Sequence, residues 1–216
     1  MTQKNITVPK TARYFVLGEP SDKIEHIWFV CHGYGELAKY HVKYYEALVN
    51  DKTLVVAPEA LNRFYRQGFS GKVGASWITK EERESEIADS INYLNMVYSE
   101  VLAPFKNKNV TINILGFSQG SAMVCRWVTN HKTDVKNLIL WSGSMAHDIN
   151  FEKEKDFFNS INLKFVMGLE DEFYNAEEIE KLKEFISSKG ISFEYYPFKG
   201  KHEVNKEALL EVAKQL

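Results

Sequence analysis

Residues 113–123 read NILGFSQGSAM. An apolar run stops at Gly116, a serine stands at 118 between two glycines, and a helix-period segment, SAMVCRWVTN, continues to Asn130. The pattern Gly-x-Ser-x-Gly also suits an ordinary β-to-α turn, so context decides. VTINILG (110–116) is a β-type run feeding straight into the motif, and a helix leaves it directly. Strand, tight turn and helix form a nucleophile elbow, in which the central residue takes strained backbone angles and its hydroxyl is lifted above the sheet edge. The neighbouring positions must be small because strand and helix pass close together. Gly116 and Gly120 meet that need, and Ser121 and Ala122 keep the next turn slim. The helix N-terminus beyond Ser118 favours developing negative charge.

Outward from this stretch the chain alternates short apolar runs with helix-period segments. ARYFVLG (12–18), IEHIWFVCHG (24–33), TLVVAP (53–58), NLILWSG (137–143), NLKFVMG (162–168) and ISFEYYPF (191–198) read as further strands. The second is nearly continuous hydrophobe, as a strand buried on both faces must be. Helices are predicted over 40–50, from Thr79 to Pro104, over 175–189 and from Val204 to Leu216, with weak helical character at 152–160. Thr79 and Glu82 match a capping box, and Ile87, Ile91, Leu94, Tyr98 and Val101 share one face. Strands alternating with helices predict an α/β protein: a doubly wound, mostly parallel sheet of about seven strands, folded as one domain over 1–216. The two large connections, 59–78 and 142–161, follow strand C-terminal ends, the edge where such sheets bind ligands. Neither is large enough for a cap domain.

Composition narrows the function classes. The 216 residues are 44% apolar and 26% charged, as in a globular protein. A net charge of -2 and a pI near 6.3 leave no footprint for nucleic acid or an anionic membrane. The opening MTQKNITVPK has no apolar core of a secretory signal, and no apolar run approaches a bilayer's thickness, so no stable membrane insertion is expected. Two cysteines, Cys31 and Cys125, make no disulfide framework, which points to the cytoplasm. The His and Cys spacings match no metal site, and no cofactor is expected.

A serine needs a base and an orienting acid, in the chain order Ser, Asp or Glu, His. Of six histidines, only His202 lies beyond the later strands, in FKGKHEV, at the same sheet edge as Ser118. His131 and His147 also follow the serine but precede the best acids, and His131 reads as a helix cap. His26 and His41 read as strand and surface-helix residues. FVMGLEDEFY supplies Glu170, Asp171 and Glu172 after the strand at 162–168, and Asp148, one strand earlier, is a rival. Acyl transfer builds charge on a carbonyl oxygen that two backbone N–H groups must meet. Gln119, after the nucleophile, supplies one. Tyr34, in the strand-end loop HGYG (32–35), supplies the other.

HGYG, GFSQG, Gly-Leu-Glu-Asp (168–171) and Gly-Lys-His (200–202), in this order between Ile24 and Leu216, resemble the α/β-hydrolase superfamily. The closer resemblance is to its small carboxylesterase branch, which includes acyl-protein thioesterases and lysophospholipases. That branch has His-Gly-x-Gly at the oxyanion loop, Gly-Phe-Ser-Gln-Gly at the elbow, and an acid three residues after a glycine. Gly168 plus three selects Asp171. Its histidine commonly follows a glycine directly, whereas here Lys201 intervenes. Its Ser-Trp pair is matched by Ser76-Trp77.

The resemblance implies an α/β-hydrolase fold and a serine esterase with Ser118, Asp171 and His202 as its triad and Tyr34 and Gln119 as its oxyanion hole. Phe69 and Trp77 in the long loop and Phe173 beside the proposed catalytic positions are candidates to hold the acyl group, the alternative being that the loop aromatics anchor the loop on the core. Arg63 and Arg66 lie in the same long loop, where a substrate carboxylate or phosphate could meet them. The expected substrate is a small-molecule carboxylic ester with a short to medium acyl chain, hydrolysed by a monomer or homodimer. A lysophospholipase, an acyl-thioesterase, or a non-catalytic ligand-binding protein on the same scaffold are the alternatives.

Overall fold

A computed structural model describes residues 1–130 and 132–216, which leaves His131 outside the described residues. Among the described residues nine strands and six α-helices are formed. The strands are β1 (Tyr14–Leu17), β2 (His26–Cys31), β3 (Thr53–Pro58), β4 (Asn62–Tyr65), β5 (Val73–Ser76), β6 (Thr111–Phe117), β7 (Val135–Trp141), β8 (Asn162–Gly168) and β9 (Glu194–Phe198). The helices are α1 (Ala38–His41), α2 (Arg83–Leu102), α3 (Gln119–Val128), α4 (Phe151–Ser160), α5 (Ala176–Ser188) and α6 (Lys206–Lys214).

Seven strands make one sheet in the order β1-β3-β2-β6-β7-β8-β9. Only β1 runs antiparallel to its neighbour; the other pairings are parallel. Both faces are buried, and the period of two along each strand divides the core. Ile27, Phe29, Cys31, Ile112, Ile114, Leu138 and Leu140 pack on one face with residues of α2 and α3. Trp28, Val30, Leu115, Ile139 and Trp141 pack on the other with α6 and the turn after α1. This explains why the central strands read as unbroken hydrophobe. No cap is inserted among the described residues: β7 connects to α4 through residues 142–150.

Four local expectations are corrected. The helix at 40–50 is one α-helical turn, α1, followed by a 3₁₀ helix over Val42–Leu48. Thr79 caps nothing; α2 begins at Arg83, after Glu82 in the left-handed region at φ 48°. The Thr79 amide and hydroxyl instead meet the Glu86 carboxylate, a partner one helical turn further along. The 59–78 connection is ordered: β4 and β5 pair as a hairpin, and its second strand is bridged to Glu36 through Ala75. At 151–160 the helix is regular, because the Asn150 side chain accepts from the Lys153 amide and caps it.

Candidate active site

β6 delivers Ser118 at the C-terminal edge of the sheet. Its backbone sits at φ 52°, ψ -117°, a region that costs a non-glycine residue roughly 1–3 kcal/mol. Packing enforces this. A Cβ on Gly116 would run into the Gly120 carbonyl, and one on Gly120 into the Cys31 carbonyl of the adjacent strand. The Ser118 amide is fixed on the Trp141 carbonyl at 2.9 Å, and Ser121 Oγ donates to the Gly116 carbonyl at 2.7 Å. Strand and helix are thereby clamped together around one protruding serine.

The loop after β8 carries Asp171, which is 7% exposed. Its two oxygens have separate tasks. Oδ1 accepts from the Phe173 amide at 2.8 Å, and Oδ2 lies 2.8 Å from His202 Nδ1. With the carboxylate accepting, Nδ1 carries the proton and Nε2 keeps its lone pair. The His202 ring packs between Phe117, at 5.0 Å between ring centres, and Phe173, at 4.6 Å. Its loop is tied down by Trp141 Nε1 donating to the Glu203 carbonyl and by the Glu170 amide donating to Gly200. Ser118 and His202 line one cleft of about 360 Å³ with Phe173, Tyr174 and Glu178.

The loop after β2 faces the elbow. His32 is fully buried; Nδ1 meets the Gly33 carbonyl at 2.7 Å and Nε2 accepts from the Ala60 amide at 3.0 Å. Burial lowers its pKa to about 4, outweighing the Gly33 carbonyl, so the ring is neutral and structural. The amides of Gly33, Gly35 and Glu36 all have partners, whereas among the described residues the Tyr34 amide has none. Gln119 is the first residue of α3, where a helix leaves its amide free. The Gln119 side chain has a different task. It accepts from the Trp77 amide at 3.0 Å and donates to the Ile78 carbonyl at 2.9 Å, holding the end of the β4–β5 connection.

Of the aromatic candidates, only Phe173 lines the cleft. Trp77 is fully buried, donates from Nε1 to the His32 carbonyl at 2.8 Å and packs on the His32 ring. It supports the loop from beneath, which corrects the expectation that it holds substrate. Phe69, 98% exposed near the hairpin tip, is not among the cleft residues. Arg63 is engaged by Glu59 at 3.7 Å, while Arg66 is exposed. Asp148 is bound by Arg126 at 2.9 Å and Arg83 at 3.1 Å. Burial opposes its charge, but the Arg126 contacts prevail and hold its carboxyl below the usual range. Glu170, Glu172 and His147 are exposed loop residues.

Glu178 and His41 escaped the sequence reading. The Asn175–Glu178 capping box that starts α5 was a usable signal for the first, since it turns Glu178 toward the loop that carries Asp171. His41, expected on a surface helix, is fully buried beside Glu36. Among the described residues no group of three or more His, Cys, Asp or Glu side chains comes together to hold a metal ion, and no helix is long and apolar enough to cross a membrane.

A sequence model of the family described as Phospholipase/Carboxylesterase matches residues 12–216. Among solved structures the chain is similar to a carboxylesterase from Mesorhizobium loti, at 16% identity and a TM-score of 0.72 over 94% of this chain and 93% of that one. It is similar to Zea mays acyl-protein thioesterase 2 at 15% identity and a TM-score of 0.71, over 95% and 97% of the two chains. It is also similar to esterase PE8, at 17% identity and a TM-score of 0.68, over 94% and 97%. At such identities the likeness is one of fold. No curated protein matches the chain.

Proposed function

Because the chain belongs to the phospholipase/carboxylesterase family, whose members hydrolyse esters, we propose that it is a serine hydrolase cleaving carboxylic esters of short to medium acyl chains through an acyl-enzyme. One observation carries the reading. A serine held at positive φ opens into a cleft that it shares with a histidine whose other nitrogen is held by a buried carboxylate.

In this reading Ser118 Oγ attacks the ester carbonyl carbon as its proton passes to His202 Nε2. The carbonyl oxygen becomes an oxyanion between the Tyr34 and Gln119 amides. Asp171 keeps the imidazole in the Nδ1–H tautomer and stabilises its charged form. Collapse expels the alcohol, which takes the proton from His202. Water then enters, gives its proton to His202 and releases the acid, and Ser118 regains its proton. The protein works in the cytoplasm as one domain, a monomer or homodimer, with Cys31 and Cys125 both buried free thiols.

The acyl preference follows from the cleft. About 360 Å³ walled by Phe173 and Tyr174 accommodates a modest group, at the small end of ligand pockets. Each buried methylene is worth about 0.8 kcal/mol, so kcat/KM rises with acyl length only until the walls are covered. Esters from acetyl to palmitoyl, measured below and above their solubility limits, test this. The maximum is expected at short to medium chains without a jump at the lipid interface, and Phe173→Ala is expected to flatten the rise. A maximum at palmitoyl with interfacial activation would contradict the reading.

A further inference from the structure

We propose that Glu36, backed by His41 and Tyr45, is the positioning residue of the oxyanion loop: its carboxylate holds the Gly33 amide so that, of this loop's amides, that of Tyr34 is the one left for the reacting carbonyl. This deepens the reading of Ser118 as nucleophile and rests on it.

An amide stabilises an oxyanion only if it is held still and has no internal acceptor. Around Tyr34 the amides of Gly33, Gly35 and Glu36 are accounted for. The Gly35 amide donates to the Ala75 carbonyl at 2.9 Å, and the Ala75 amide returns a bond to the Glu36 carbonyl at 3.0 Å. The Gly33 amide donates to Glu36 Oε2 at 2.8 Å. That acceptor is a charged side chain rather than a carbonyl, and bonds to ionised acceptors are about twice as strong as neutral ones. Burial works against the Glu36 charge, but His41 and the Gly33 amide outweigh it and hold the carboxyl below its usual range.

His41 is the second half of the device. It is fully buried, with Nδ1 3.2 Å from Glu36 Oε2 and Nε2 3.1 Å from the Tyr45 hydroxyl. A core position on a one-turn helix needs no imidazole; an apolar side chain of similar volume packs there as well or better. What the imidazole adds is a ring nitrogen within ion-pair distance of the carboxylate, though outside hydrogen-bond geometry, so that it acts on Glu36 electrostatically. The assembly is in contact with the chemistry. The His41 ring lies 5.8 Å from that of Phe117, the residue before Ser118, and Phe117 lies 5.0 Å from His202. The other titratable groups around Glu36 are His32, Tyr44 and Tyr45. The Tyr45 hydroxyl is pushed far above its usual range by burial, so it stays protonated.

Glu36→Gln keeps the shape and an acceptor oxygen while removing the charge. It is expected to lower kcat by about ten- to a hundredfold, part of the loss seen when an oxyanion donor is deleted, with KM changed less than about threefold. Affinity for a trifluoromethyl ketone, which adds to the serine as a tetrahedral adduct, is expected to fall in step with kcat/KM. A residue that only packs moves the melting temperature and leaves both quantities alone. If Glu36→Gln does not fold, His41→Phe, which fills the same space without a partner for the carboxylate, is read in the same way. A folded variant with kcat near the wild type, or with a change in KM only, overturns the proposal. Ser118→Ala separates the two levels. If it retains turnover, the reading of the site itself fails. If it is inactive while Glu36→Gln turns over normally, only the role of Glu36 fails.

Discussion

β6, β7 and β8 carry polar side chains at both of their ends, several of them buried, and the two ends do different things with them. At the N-terminal ends Asn162 donates to Asn137 at 2.7 Å, and Asn137 donates to Asn113 at 2.7 Å, forming a ladder of amides across three strands. Lys164 of β8 meets Glu194 of β9 beside it. Among the described residues nothing there sits at positive φ. At the C-terminal ends Ser118 and Ser142 are both held at positive φ, at 52° and 45°. There the Tyr34 amide has no internal acceptor among the described residues, and His202 shares a cleft with Ser118. Burial of polar groups is common to both ends. Strain combined with donors left open to a cleft belongs to one. The first arrangement joins strands, and the second leaves groups open to a cleft, as the proposed chemistry requires.

The largest effect expected from breaking this contrast is at Asp171. Asp171→Asn leaves the fold in place but favours the wrong His202 tautomer, and kcat for a p-nitrophenyl ester is expected to fall by ~10⁴. Asp148→Asn, at a carboxylate held by Arg83 and Arg126, is expected to leave kcat unchanged. A large loss at Asp148 with little at Asp171 would move the acid back one strand.

A smaller effect separates the ends by acid. His32 has a folded pKa of about 4, below the free imidazole value near 6.5. Between these values the unfolded chain binds a proton that the folded one does not. Stability from this site is therefore complete above pH 6.5 and lost as pH falls toward 4, by up to about 3 kcal/mol. Denaturant unfolding across that window is expected to lose this slope in His32→Gln. The asparagine ladder carries no titratable group, so Asn137→Ala is expected to keep the slope.

Smaller again is the ladder itself. Asn137→Ala strands Asn113 Oδ1 and the Asn162 amide, and costs about 2 kcal/mol of stability at any pH. Its kcat is expected to stay within about twofold of the parent, because nothing at the far end of the sheet moves. Urea unfolding and ester turnover on the same preparation check both halves. A loss of kcat without a loss of stability would erase the distinction between the ends.

Much of the sheet could be read from the chain because its signals are local. Unbroken apolar runs such as Ile27–Cys31 mark strands covered on both faces, and the step from VTINILG into a helix at Ser118 marks the elbow. His202 was accessible by position, as the one histidine after the later strands. Asp171 was not separable from Glu170 and Glu172 by pattern, since spacing within a loop has no period; only the resemblance to a family selected it. His41 was misread because the chain changes from α to 3₁₀ at Val42, and a face counted at 3.6 residues per turn loses phase there. Trp77 was misread because a Gly-rich aromatic stretch suggests a cleft wall. The hairpin instead folds back, and its indole finds the His32 carbonyl, a partner 45 residues away. Both errors concern side chains whose partners are set by tertiary contact rather than by neighbours in sequence.

We propose that the strained serine at the C-terminal edge, Ser118, is the nucleophile. Reaction with a fluorophosphonate, followed by intact mass and peptide mapping, tests it most directly. Attack by Ser118 Oγ displaces fluoride and leaves one phosphonyl group on the protein. A single adduct is expected, mapped to the peptide containing Gly116–Gly120, absent in Ser118→Ala and slowed in Asp171→Asn. A folded protein that takes no label, takes it at another residue, or keeps hydrolysing esters as Ser118→Ala would contradict it.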